Sequence, residues 1–241
     1  VLFDDMPRSV DTLAAAQLDI VAEVVSVSEA EHALVCPSYY STDPVLERVF
    51  GAMPVDYWDE LGAGLPAETG IFWTGDRVCA ESHDARGLGE IAARLARKPV
   101  LWDNYPVNDG ARGANFLRID AFRGRGSELE GLTQAHFVNP MNQCWLSRIP
   151  LQSLALLYEQ GLDYDPDAAF ARCARAQCGE ELAAQLAADR DALQHEGLGA
   201  LSGARLAQMR ARYAAFHSPF AQELCEWLNG RYAFDPACLT D

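Results

Sequence analysis

The feature that most constrains the fold is a rhythm. Five short apolar runs, Val1 to Phe3, Ala33 to Cys36, Gly70 to Trp73, Pro99 to Trp102 and His136 to Val138, end 33, 37, 29 and 36 residues apart. Runs of this length, rich in β-branched and aromatic residues, read as buried strands, while the intervals between them carry helical periodicity. A step of about thirty residues is that of a βαβ unit. The first 160 residues therefore predict strands and helices in alternation around a parallel sheet, an α/β class.

The helices expected between the runs follow from caps and apolar spacing. Asp11 can cap Thr12 to Ala30, Pro54 can open a helix to Leu61 with Gly62 as its stop, and Asp84 to Arg97 carries Leu88, Ile91 and Leu95 on one face. Ser127 to Leu132 reads as a short fourth helix, and Pro150 as the opening of a fifth. Beyond about residue 161 the rhythm stops. Asp165-Pro166 opens a long Ala-rich helix reaching about Gln194, His195 to Gly203 is a linker, and helices follow over Ala204 to Phe216 and from Ser218-Pro219 to Asn229-Gly230. Two domains are expected: 1–160 of βα units and 161–241 all helical.

Charge and composition narrow the chemistry. With 35 acidic against 19 basic residues the formal charge is -16, which disfavours nucleic acid and anionic membranes as partners. Arg205, Arg210 and Arg212 stand at helical spacing among Ala and Leu and read as a solvated helix face. No apolar run approaches the length of a membrane span. Seven irregularly spaced cysteines without a C-x-x-C pair support neither a zinc site nor a redox dithiol; as buried free thiols they favour a reducing, cytoplasmic compartment. The histidines are scattered, and His136 inside a strand reads as a core residue. Neither a nucleophile elbow nor a glycine-rich phosphate loop occurs, so no cofactor or metal is expected and acid-base chemistry by carboxylates remains.

Polar residues gather just after the runs: Asp4-Asp5, then Ser38-Tyr39-Tyr40, then Thr74-Gly75, then Asp103-Asn104-Tyr105 with Asn108-Asp109, then Asn139-Pro140-Met141-Asn142. Loops after the strands of a βα barrel share one face, and that face carries the active site. Asn, Asp, Tyr and Trp together satisfy sugar hydroxyls and offer an apolar ring face. Taken singly, Tyr40 and Trp102 read as packing residues, Asn104 and Asn139 as turn formers, and Asp109-Gly110 as a turn. As a set at strand ends they read as a pocket.

Two adjacent carboxylates suit a glycosidase. The pair disfavours double ionisation, so one pKa rises and that group can serve as a general acid. Neighbours in sequence are nonetheless an odd arrangement for the opposed acid and nucleophile, which sit about 5 Å or more apart. That points to a substrate that supplies its own nucleophile.

Leu2-Phe3-Asp4-Asp5, Val35-Cys36-Pro37-Ser38-Tyr39-Tyr40, Phe72-Trp73-Thr74-Gly75, Leu101-Trp102-Asp103-Asn104-Tyr105-Pro106-Val107-Asn108-Asp109 and Val138-Asn139-Pro140-Met141 resemble the successive motifs of glycoside hydrolase family 84, the O-GlcNAcase and bacterial β-N-acetylglucosaminidase family often labelled hyaluronidase. The resemblance covers about the first 160 residues. It implies a (β/α)8 TIM barrel and a retaining, substrate-assisted hydrolysis of terminal β-linked N-acetylglucosamine, including that on proteins, through an oxazoline. Carried over, Asp4 orients the acetamido N–H, and Asp5 is the acid and base. Tyr40 flanks the acetamido pocket, Asn104 bonds the acetamido or acid-base region, Asp109 and Asn139 hold hydroxyls, and Trp102 walls the pocket. Thr74 and Trp73 stand behind them.

The acid pair falls on what the family makes its fourth strand. The resemblance thus implies that only about the last five βα units are present, that the other three precede Val1 in a longer polypeptide or lie on a separate partner fragment, and that a glycine carbonyl and a lysine of the sugar site belong to that part. An inactive sugar-binding or structural remnant is the alternative outside the enzyme class; endo-cleavage of a glycosaminoglycan is the alternative within it.

Overall fold

The computed structural model describes residues 1–4 and 12–234. The helices and strands run α1 (Leu13–Val27), β1 (Leu34–Val35), α2 (Pro44–Phe50), α3 (Tyr57–Gly64), β2 (Gly70–Trp73), α4 (Ala85–Arg94), β3 (Val100–Asp103), α5 (Leu129–Leu132), β4 (Ala135–Val138), α6 (Cys144–Gln160), α7 (Pro166–Cys178), α8 (Glu180–Asp191), α9 (Gly203–Ala214) and α10 (Pro219–Leu228). The strands pair in chain order, β1-β2-β3-β4. β1 with β2 and β2 with β3 pair in parallel, with Leu34 opposite Gly70 and Phe72 opposite Val100. Val1 to Phe3 joins beside β1 through a parallel bridge between Leu2 and Cys36. Each apolar run thus takes its place in the sheet, as its alternation with helices requires.

Two compact units divide the chain. One comprises 1–104 and 124–137, the other 105–123 and 138–241. The first buries the strand residues Val35, Ile71 and Leu101 with Leu61, Leu88, Ile91 and Leu95 from the helices. The second is centred on Leu117, Ile119, Leu146, Phe170, Leu186, Tyr213 and Trp227.

Four helix expectations change. Asp43-Pro44 opens α2, which periodicity over seven residues is too short to reveal; Asp43 accepts from Val45 N at 3.0 Å. The helix expected from Pro54 to Leu61 begins at Tyr57 and runs on to Gly64, so Gly62 lies inside it rather than stopping it. α6 begins at Cys144, so Pro150 lies inside it rather than at its start. The single Ala-rich helix is two, α7 and α8, broken where Gly179 takes φ of 82°, a left-handed conformation natural only to glycine. The Asp165 cap on Ala168 N, by contrast, stands where the sequence placed it. The cap proposed for Asp11 lies outside the described residues.

Arg97 fastens the start of β2. Its guanidinium donates to the carbonyls of Leu95, Gly62, Leu65, Pro66 and Thr69, gathering the end of α3 and the turn that follows. Close packing there dictates Gly62: a Cβ would sit 2.5 Å from Leu95 O. Ala normally exceeds Gly in a helix by about 1 kcal/mol. Here the clash with fixed backbone outweighs that gain, and Gly62→Ala is expected to lower the melting temperature, read by circular dichroism; a rise would contradict the contact.

Candidate active site

The polar residues that follow the strands in the first unit are held by backbone and by one another. Phe3 N donates to Cys36 O and Cys36 N to Val1 O, both at 2.9 Å, which places half-buried Asp4 one residue past the ladder. Asp5 lies outside the described residues. Tyr40, 7% exposed, follows β1. Its carbonyl accepts from Thr74 N at 2.9 Å and from Thr74 Oγ1, so Thr74 ties the β1 and β2 ends together. Trp73 packs edge-on against Trp58 at 5.3 Å, behind the strand ends.

Trp102 and Asn104 form one local motif. Trp102 Nε1 donates to Asn104 Oδ1 at 3.0 Å, and Asn104 Nδ2 donates to Val78 O at 2.7 Å. Val78 N in turn donates to Asp43 Oδ2, the same carboxylate that caps α2. Trp102 is half-buried and meets Phe72 edge-on at 5.1 Å.

Between Trp102 and Asn104, Asp103 turns to the other side of β3, as strand alternation demands. It is 1% exposed and forms a fork with Arg125: Nε to Oδ2 at 2.8 Å and Nη2 to Oδ1 at 2.6 Å. Arg125 also donates to Ala80 O and Glu81 O. His136 Nε2 lies 3.1 Å from Asp103 Oδ2, which makes His136 the bonded core histidine its strand position predicts; His83 Nε2 is at 3.7 Å. Burial pushes the Asp103 carboxyl upward, but His136, His83 and Arg125 together overcome it and hold the group far below the usual carboxylate range.

Asp109 and Asn139 belong to the second unit. Asp109 is exposed, and Asn139 directly follows β4, half-buried. Their loops are joined by an amide pair that the sequence did not reveal: buried Asn108 donates through Nδ2 to Gln143 Oε1 at 2.8 Å and to Phe116 O at 3.0 Å, and accepts from Asn142 N at 3.0 Å. Gln143 occupies the N-cap position of α6 without capping it. Glu223 takes that part instead, accepting from Trp145 N and Leu146 N.

A second unforeseen set lies beneath Asp4. Ser38 Oγ donates to Phe3 O at 2.8 Å, Gln17 Nε2 donates to Ser38 Oγ at 2.8 Å, Tyr57 OH donates to Gln17 Oε1, and Ser38 N donates to Tyr57 OH at 3.0 Å. Gln17 did leave a signal: it stands at helical spacing between Leu13 and Val21, a polar residue inside an apolar stripe.

Comparison with known proteins identifies the relatives of this arrangement. The sequence model of the family described as beta-N-acetylglucosaminidase matches residues 1–189. The chain belongs to that family, glycoside hydrolase family 84. Mouse and rat Protein O-GlcNAcase are each 25% identical over 172 residues, which is 68% of this chain and 18% of theirs. Among solved structures, the D120N mutant of the Thermobaculum terrenum O-GlcNAc hydrolase superposes with a TM-score of 0.73 at 24% identity, covering 96% of this chain and 57% of that one. CpGH84B superposes with a TM-score of 0.64 at 16% identity over 95% of this chain and 46% of its own. The family 84 chain therefore shares a glycoside hydrolase fold built on a parallel sheet and many helices, and spans about half the length of the solved structures it matches.

Proposed function

We propose that this family 84 chain carries the acid pair of a retaining β-N-acetylglucosaminidase acting on terminal β-linked N-acetylglucosamine, with O-GlcNAc on proteins as one source. The observation that carries the reading is the family match over residues 1–189, which spans every strand end bearing a candidate group. On this reading the sheet supplies five strands of a (β/α)8 barrel, residues 1–160, followed by a helical region, 161–241.

The reaction needs no metal or cofactor. The 2-acetamido oxygen attacks the anomeric carbon while Asp5 gives its proton to the departing oxygen, and Asp4 accepts the acetamido N–H so that positive charge on the forming oxazoline is balanced. Water then adds to the anomeric carbon, passes a proton to Asp5, and returns the acetamido group. Tyr40 and Trp102 shape the acetamido side, and Asn104 bonds the reacting region. Asp109, assisted by Asn139, orients the outer hydroxyls. A carboxylate at Asp109 suits paired sugar hydroxyls because it accepts from two donors.

The test is release of aryl alcohol from 4-nitrophenyl β-N-acetylglucosaminide by the chain, followed by the anomeric configuration of the sugar by proton NMR. Turnover with retained β-configuration supports the reading. Absence of both turnover and binding of N-acetylglucosamine to folded protein would sink it, and loss of hyaluronan viscosity without release of terminal sugar would move the assignment to endo-cleavage.

A further inference from the structure

Three polar side chains lie buried in the apolar layer beside the Phe3 carbonyl. Gln17 and Ser38 are each 3% exposed and Tyr57 is fully enclosed. They come from α1, from the segment after β1, and from α3. Burying an amide and two hydroxyls costs stability unless every donor and acceptor is matched, and an apolar trio of equal volume would fill the same space without that demand.

Their bonds form a directed chain with one outlet. Ser38 N donates to the Tyr57 hydroxyl, which donates to Gln17 Oε1; Gln17 Nε2 donates to Ser38 Oγ, and that hydroxyl spends its single proton on Phe3 O. Burial drives the Tyr57 phenol strongly upward, so its hydroxyl keeps the proton it donates. The hydroxyl of Ser38 can rotate, but Gln17 occupies its acceptor side and leaves Phe3 O as the target.

Phe3 O belongs to the peptide plane that carries the nitrogen of Asp4. The other side of Phe3 is fixed by its own N–H on Cys36 O. Both peptide planes of Phe3 are therefore held, one by the strand ladder and one by Ser38, at the last residue before the carboxylates.

We infer that Gln17, Ser38 and Tyr57 are positioning residues of the proposed glycosidase, orienting the Asp4-Asp5 pair through the Phe3 carbonyl. The inference rests on the glycosidase reading of Asp4 and Asp5. Small misplacement of reacting groups costs up to about 100-fold in rate, so the set acts on kcat rather than on sugar affinity.

The experiment compares the full chain with Ser38→Ala, Ser38→Thr and Tyr57→Phe, each alone and combined with Asp5→Asn, on 4-nitrophenyl β-N-acetylglucosaminide, with melting temperatures recorded. Expected are a fall in kcat of about 10- to 100-fold for Ser38→Ala and Tyr57→Phe with KM within about 2-fold. Ser38→Thr, which keeps the hydroxyl, should recover kcat to within about 3-fold. With Asp5 already replaced, Ser38→Ala should cost less than it does in the parent chain, because only the part that acts through Asp4 is left. Equal losses in both backgrounds, or unchanged kcat in folded Ser38→Ala, overturn the inference alone. If Ser38→Ala fails to fold, Tyr57→Phe in the two backgrounds decides by the same criterion. An inactive parent chain that also fails to bind N-acetylglucosamine overturns the glycosidase reading and this inference with it.

Discussion

Asp5→Asn is expected to lower turnover of an aryl β-N-acetylglucosaminide by about 10²- to 10⁴-fold, the usual contribution of a positioned general acid-base group. The size of the loss should depend on the leaving group. A phenol of low pKa departs without help, so the loss shrinks in bond cleavage and persists in attack by water. Asp4→Asn should behave differently. Its proposed work is on the acetamido group, whose nucleophilicity is the same whatever departs, so its loss should be nearly independent of leaving-group pKa. Steady-state kinetics over a series of substituted phenyl glycosides separates the two. If both variants respond alike to the leaving group, the division of labour is wrong; if Asp5→Asn retains full turnover with every member, the catalytic assignment falls.

Arg125→Met should give the largest loss of stability. The side chains of Asp103 and Arg125 are 1% and 4% exposed, and removing one partner of such a pair leaves a buried charge without its fork of hydrogen bonds. The cost of breaking a buried pair in this way is about 3–5 kcal/mol. For a chain of this size that is a fall of about 6–20 °C in melting temperature. Arg125→Lys keeps the charge but loses the planar fork, and should fall between. The pH dependence follows from the depressed Asp103 carboxyl. Its stabilising effect is fully present above about pH 5 and drains as pH falls through the ordinary carboxylate pKa of about 4 toward the lower value of the folded state. Thermal unfolding between pH 7 and pH 3 should therefore show a steeper acid limb in the parent than in Arg125→Met; parallel limbs would contradict the assignment.

β2 and β3 were legible because burial on both faces leaves uninterrupted apolar runs, whereas β4 is exposed at Ala135 and Phe137. β2 begins and ends where its run does, and β3 differs by one residue at each end. Helix boundaries were less legible where one signal has two meanings. A proline reads as a first turn, which Pro166 and Pro219 obey, yet Pro150 sits within α6. The same Asp-Pro signature that located α7 also opens α2, but seven residues carry too little periodicity to be counted.

The candidate groups could be picked out because each stands at or after the end of a run. Their supports were not. Arg125 meets Asp103 across 22 positions, Asn108 meets Gln143 across 35, and Tyr57 meets Gln17 across 40. Such pairings leave no local pattern beyond Gln17, a polar residue out of place in an apolar stripe.

The spacing of the strand partners also bears on how the sheet assembles. Leu2 pairs with Cys36, Leu34 with Gly70 and Phe72 with Val100, so each rung closes a loop of roughly similar length. Closure entropy grows only as the logarithm of loop length, and these loops differ by no more than about 0.2 kcal/mol in that cost. Closure alone therefore selects no rung as nucleus. The strand order lets pairing spread from one neighbour to the next without crossing the chain.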